Sequence, residues 1–353
     1  MDKEASGGSA ISRRIRNIYY MLAYAFRALK AGDVTEMGGE QFQNVHELFA
    51  EIIIRGMRRQ LKRGLPHTYV EETEELRYPR GRIDLQASVR KVTMTMHRLV
   101  CNFDEFTEDT PGNRLIKCAM THLMKQDEVS HSRKRDVRFL WSNLHRVSDV
   151  GYIGIPKQRT GDAEYVTLVN ICRFLLDGLL MNTGSGYEML KWLTDDRMSW
   201  LYEQFVLEYF KRHHPDLGAR SARIDWDMPV VPEHMPAMES DVYLSYGGRT
   251  LIIDAKYYSR TMSQHYGKAT YHSQNLYQIY AYVKNADRAR DGSVSGMLLY
   301  AKTDEDIVPD ADFVIGGNAF SVKTLDLAQD FRVIRSQLDR IAFTLRQGAV
   351  EVP

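Results

Sequence analysis

The second half of the chain carries its clearest hydrophobic patterning. Leu251, Ile252 and Ile253 form an apolar run with β-branched members, which predicts a strand. Upstream, Val242 and Leu244 alternate with Tyr243 and Ser245, and Gly247-Gly248 supplies a tight turn, so residues 238–256 read as a β-hairpin. Residues 271–286 have helical spacing, with Leu276, Ile279, Tyr280 and Val283 as the apolar stripe. Gln274, Gln278 and Tyr282 recur every four residues and share another face. A second helix is predicted over 195–215, with Trp200, Leu201, Phe205, Leu207 and Phe210 as contacts and Pro215 at its end.

The first half reads differently. Helical patterns cover residues 17–30 and 42–64, followed by several short strands over 67–106, broken at Pro79-Arg80-Gly81. A helix opens at Pro111 with Thr110 as its cap, and further helices are expected near 129–145 and 164–182. Residues 182–188 are the best linker. The pattern predicts an α/β (α+β) chain of two domains: a mixed helical and β-rich domain over 1–183, and a second over 184–353.

Composition changes this picture little. The 353 residues are 44% hydrophobic and 26% charged, ordinary for a globular chain. No apolar run approaches the length of a membrane span, and the first 14 residues lack a signal core and read as a flexible lead. Cys101, Cys118 and Cys172 have neither zinc spacing nor an even number for disulfides, which points to the cytoplasm. With 47 basic against 46 acidic residues, the chain lacks the excess expected of a protein gripping DNA alone. Basic clusters at 55–64 and 131–138 lie on helical patterns and read as solvated faces. No phosphate-cradling G-x-x-x-x-G-K-[ST] motif occurs.

The chemistry concentrates in the hairpin. Asp254 and Lys256 point to one side of their strand, about 7 Å apart along the chain. Asp241 returns close to Asp254 through the Gly-Gly turn. Two carboxylates suit Mg²⁺, which commonly takes one or two carboxylates plus phosphate oxygens. A lysine there orients water and offsets developing charge. The order and spacing, D-(x)12-D-x-K, resemble the PD-(D/E)xK nuclease core, and a salt-bridged hairpin is the plainer alternative. The helix with Gln278 and Tyr282 resembles the RecB-like branch, in which such residues sit beside the metal and contact substrate. The same resemblance implies a glutamate from the preceding helix, with Glu203 first and Glu208 second. The proline of the motif's name is missing, and Glu239 competes with Asp241 for the metal. The acids of 103–110 read as the approach to a capped helix, favourable at its positive end.

Longer motifs are more specific. RNIYYMLAYAF (16–26), PRGRID (79–84), CNFDEFTEDTPGNRLIK (101–117), LIIDAKYY (251–258) and YHSQNLYQIYAYV (271–283) resemble, in the same order, the McrC family. McrC is the nuclease subunit of McrBC modification-dependent restriction systems. The resemblance implies a C-terminal PD-(D/E)xK endonuclease domain and an N-terminal domain that binds and activates an McrB-like AAA+ GTPase hexamer. It implies DNA containing modified cytosine as substrate, Mg²⁺ as cofactor, and GTP bound by the partner. Asp241, Asp254 and Lys256 take the catalytic positions, with Asp241, Asp254 and Glu203 toward the metal and Gln278 and Tyr282 in support. The stretch 69–100 is expected to insert into the hexamer, with Arg77, Arg80 and Arg82 as partner contacts. A non-catalytic regulator with a nuclease-like fold, or a free-standing defence nuclease, are the competing readings.

Overall fold

The computed structural model describes residues 17–25, 42, 44–91, 96–151, 162–180, 195–257, 263–265, 268–302 and 308–348. The lead before residue 17 and the linker expected at 182–188 lie outside them. The chain forms two compact units, one from Met1–Leu48 with Met181–Pro353 and one from Phe49–Leu180. The junction expected near 183 thus falls at the end of the second unit. The first 48 residues, expected with the N-terminal domain, instead group with the C-terminal part.

The reason is helix α1 (17–25). Tyr20 stacks on Phe331 with centroids 4.1 Å apart, and Tyr24 meets Phe205 edge-on at 5.4 Å. The Tyr24 hydroxyl contacts Nε2 of His213 at 2.8 Å. Asn17 Nδ2 donates to the carbonyls of Leu327 (2.6 Å) and Gln329 (2.9 Å). Aromatic burial and satisfied amide bonds commit this helix to the C-terminal core.

In the second unit, α2 (Val45–Arg63) leads into β1 (Thr68–Leu76), β2 (Arg82–Ile83), α3 (Leu85–Arg90) and β3 (Leu99–Thr107). The antiparallel sheet has the order β1-β3-β2. The stretch expected as strands over 69–100 therefore contains a helix. Asp84 caps it by accepting from the Ala87 amide at 2.8 Å, which favours a helical turn after the two-residue β2. No residue of β1 is buried. α4 (Pro111–Lys125), α5 (His131–Ser142) and α6 (Ala163–Leu180) complete the unit. As expected, Thr110 caps α4, accepting from the Asn113 amide at 3.1 Å, with Pro111 in the first turn. Lys117 is buried but satisfied: its ammonium donates to Leu144 O and Val147 O and lies over the Trp141 ring.

The other unit is built on a six-stranded sheet. After α7 (Asp195–His213) come β4 (Arg220–Ile224), β5 (Met238–Tyr246) and β6 (Arg249–Lys256). A ribbon, β7 (Ser263–His265) with β8 (Lys268–Thr270), precedes α8 (Ser273–Ala286), then β9 (Val294–Ala301), β10 (Ala311–Ile315), β11 (Asn318–Leu325) and α9 (Phe331–Gln347). The order is β10-β11-β9-β6-β5-β4. β5 and β6 form the expected hairpin, and Gly247 and Gly248 both have positive φ, as its two-residue turn requires. β6 pairs in parallel with β9, and α8 makes the crossover.

α8 lies on the face that carries Ile252, Leu298, Phe320 and Val322. Gly296 permits this approach, since a Cβ there would stand 2.8 Å from Val283 and 2.9 Å from Ile279. The helix buries Asn275, Ile279, Tyr282 and Val283. This corrects the expected stripe: Leu276 is half-buried, and Tyr280 is an exposed edge stacked on Phe320. The i, i+4, i+7, i+8 set is also one helical face, and Gly296 fits it to the sheet. Among the described residues, no helix is long and apolar enough to cross a membrane.

Candidate active site

β6 sits between β5 and β9, so the end of its strand is enclosed on both sides. Asp254 is 1% exposed there, with Leu298 as its partner in the parallel ladder. Lys256, two residues on, points the same way and holds its Nζ 2.9 Å from Asp254 Oδ1. That contact is an ion pair without hydrogen-bond alignment, and both Asp254 oxygens lack a well-formed hydrogen bond. Across the hairpin, Asp241 Oδ2 accepts from the Ala255 amide at 2.8 Å. The antiparallel register thus brings Asp241, Asp254 and Lys256 together, as the sequence predicts.

The site holds more negative charge than one lysine can offset. Burial and the neighbouring Asp254 push Asp241 up to about 7, against the pull of Lys256 and the Ala255 N–H. Burial likewise raises Asp254, opposed chiefly by Lys256. Glu203, on α7, is pushed up to about 7, first by burial and then by Asp241. Glu203 therefore lies within the field of the pair. Among the described residues, however, no three His, Cys, Asp or Glu side chains converge closely enough to hold an ion by themselves.

A hard divalent cation fits this donor set. Two carboxylates offer hard ligands, that of Asp254 buried and without a well-formed hydrogen bond and that of Asp241 half-buried with one oxygen on the Ala255 amide, and Mg²⁺ ordinarily completes its shell with water and phosphate rather than a protein cage. The burial of Asp254 with Lys256 at ion-pair distance and no well-formed hydrogen bond is the local observation behind this fit, since leaving a buried carboxylate short of donors is otherwise costly.

The other predicted residues separate into groups. Gln278 Nε2 donates to the Tyr282 hydroxyl at 2.8 Å, and Tyr282 is part of the core under α8, on the sheet face that also carries Asp254. Glu239 is exposed and accepts from Ser221 Oγ at 3.2 Å, so it does not join Asp254. Glu208 pairs with Lys211 at 2.8 Å. In the second unit, Arg77 and Arg82 are exposed. Arg80 is tied down, 2.6 Å from Glu105 and 4.1 Å from the Phe103 ring centroid. Two residues escaped sequence reasoning. Asn275 Nδ2 donates to the buried Tyr300 hydroxyl at 3.0 Å, and Tyr300 is the ladder partner of Lys256. The available signal was an asparagine four residues before Ile279, on the apolar face.

Comparison with known proteins agrees with the motifs. The family described as "McrBC 5-methylcytosine restriction system component" matches residues 6–301. The type IV methyl-directed restriction enzyme EcoKMcrBC of Escherichia coli K12 is 26% identical over 337 residues, covering 92% of this chain and 95% of that protein. A chain in the half-complex of Thermococcus gammatolerans McrB AAA+ hexamers with bound McrC has a similar fold, with a TM-score of 0.54 at 16% identity over 93% of this chain and 76% of that one. With the family matched over most of its length, this chain belongs to the McrBC 5-methylcytosine restriction system components.

Proposed function

We propose that this chain is the McrC-type endonuclease subunit of a modification-dependent restriction complex. It hydrolyses phosphodiester bonds in DNA at Asp241, Asp254 and Lys256, within a PD-(D/E)xK fold. The observation that carries this reading is Asp254: buried, its oxygens unsatisfied, beside a lysine and facing a second carboxylate. Asp241 and Asp254 would hold Mg²⁺, with Glu203 available as an outer carboxylate. Bound there, the ion supplies positive charge to the phosphate and its nucleophile. Lys256 holds the attacking water and offsets charge developing on the phosphate oxygens. Gln278 and Tyr282 brace this face of the site.

The partner is an McrB-like AAA+ GTPase hexamer, which binds GTP and reads modified cytosine. The named composition of the T. gammatolerans assembly and the absence of a phosphate-binding loop in this sequence support that division. The β1–β3 ribbon with α3 is the element offered to the partner. Because Arg80 is engaged internally, Arg77 and Arg82 are the better placed contacts. The test is a plasmid-cleavage assay with and without the AAA+ protein, GTP and Mg²⁺. Cleavage only in the complete reaction on modified DNA is expected. No cleavage there contradicts the reading, and cleavage by the chain alone points to a free-standing nuclease.

A further inference from the structure

The two basic clusters of the sequence are separate in the chain but adjacent in the fold. Arg58 of α2 reaches Asp136 of α5 at 2.9 Å, and Arg133 of α5 shares Glu51 with Arg55 of α2. Residues 55–63 and 131–142 together hold nine Lys or Arg and one acid, Asp136, in a chain whose net charge is +1. Some of these cations are used internally, including Arg63 with Asp162 and Glu164. Lys62, Lys134, Arg135 and Arg138 have no acidic partner among the described residues, and Lys62, Arg135 and Arg138 are exposed. Phe139, next to Arg138 in the chain, is 69% exposed.

Folding does not explain this arrangement. α5 has Arg133 and Lys134 in its first turn and no acid there, with no basic residue in its last turn. That is the reverse of what the helix dipole favours, so cations here weaken the helix. A charge pattern that costs stability at the helix start and leaves Lys134, Arg135 and Arg138 with no acidic partner among the described residues suits an external polyanion.

We infer that the α2–α5 face binds the phosphate backbone of duplex DNA. Cations spread over two helices match a strand of evenly spaced phosphates, the contact that supplies sequence-independent affinity. The surface grips DNA irrespective of sequence. This rests on the nuclease reading only for the choice of DNA as ligand.

The test uses the full chain and unmodified duplex DNA in EDTA, so that no cleavage is required. Binding is measured by fluorescence anisotropy from about 50 to 200 mM salt, the range over which backbone contacts weaken steeply. The triple variant K134Q/R135Q/R138Q should lose at least about tenfold in affinity at low salt. Its slope of log affinity against log salt should fall by roughly 3, near 0.9 per lost phosphate contact. It should melt no lower than wild type, because the first turn of α5 is relieved of positive charge. R288Q/R290Q, which removes exposed arginines from the other unit, should bind like wild type. Cleavage is read separately, with Mg²⁺, GTP and the AAA+ partner: an Asp254→Asn variant that still cleaves would defeat the nuclease reading and leave this one standing. The inference is overturned if wild type shows no binding at low salt, or if the triple variant keeps its affinity and slope. It is also overturned if that variant keeps DNA binding but loses the AAA+ partner, which would make the face a site for an acidic protein surface.

Discussion

Asp109, in the unit built on α2 to α6, and Asp254, in the six-stranded unit, show two fates for an aspartate taken partly or wholly out of water. Asp109 receives Arg114 Nε and Nη2, each at 2.8 Å, and Ser148 through its amide (2.8 Å) and hydroxyl (2.6 Å). These donors, Arg114 first, hold its carboxyl well below the usual carboxylate range. Asp254 is more deeply buried, has one lysine at ion-pair distance and no well-formed hydrogen bond, and is pushed upward. The first carboxylate is complete within the fold. The second has one lysine and no well-formed hydrogen bond, the state that the proposed function expects of a carboxylate left for a ligand.

Lys256→Met should break the account at its strongest point. It removes the one cation that pairs with Asp254 among the described residues, and cleavage by the full complex should fall by roughly two to four orders of magnitude. The same variant should unfold at lower urea, by roughly 3 kcal/mol at pH 8 and less where Asp254 can take up a proton. A variant that cleaves normally would return the Asp254–Lys256 contact to the status of a salt-bridged hairpin.

Asp109→Asn should cost about 1–2 kcal/mol at pH 7, discounted for the partial exposure of Arg114. Because its folded carboxyl titrates lower than the unfolded one, that contribution is present above about pH 4 and is lost as the pH falls. Urea titrations should therefore show wild type and variant converging in acid. A constant difference across pH would assign the loss to packing instead.

Asp254→Asn should change stability in the opposite direction. Without metal at pH 8, the unfolding midpoint should rise, by about 1 kcal/mol, because an amide is cheaper to bury than an unsatisfied carboxylate. Destabilisation would mean that the carboxylate is structural after all.

The smallest effect is expected on the exposed face of α3. Leu85 and Val89 are 61% and 66% exposed, so Leu85→Ser with Val89→Ser should alter stability by no more than about 0.5 kcal/mol. Stimulation of the partner's GTPase should nevertheless drop. Unchanged stimulation would move the partner contact away from this helix.

The hairpin was legible in sequence because strand alternation is local: once Gly247-Gly248 sets the turn, the sides taken by Asp241, Asp254 and Lys256 follow. Thr110 and Pro111 marked α4 for the same reason. What escaped depended on tertiary partners. Nothing local shows that Tyr20 and Tyr24 pack on Phe331 and Phe205, so α1 read as part of the wrong unit. The face of α8 was ambiguous between two valid helical stripes, and only the space above Gly296 selects the one that buries Asn275 and Tyr282. The joining of residues 51–63 to 131–142 rests on ion pairs about 80 residues apart in the chain, beyond any periodicity.

The central claim is that Asp254 is buried for chemistry. The most direct measurement follows modified-plasmid cleavage and GTP hydrolysis together, in one reaction containing the AAA+ partner, GTP and Mg²⁺, with wild type and with Asp254→Asn. The account predicts that cleavage is lost in the variant while GTP hydrolysis continues at the stimulated rate. Cleavage at the wild-type rate in that variant would contradict it.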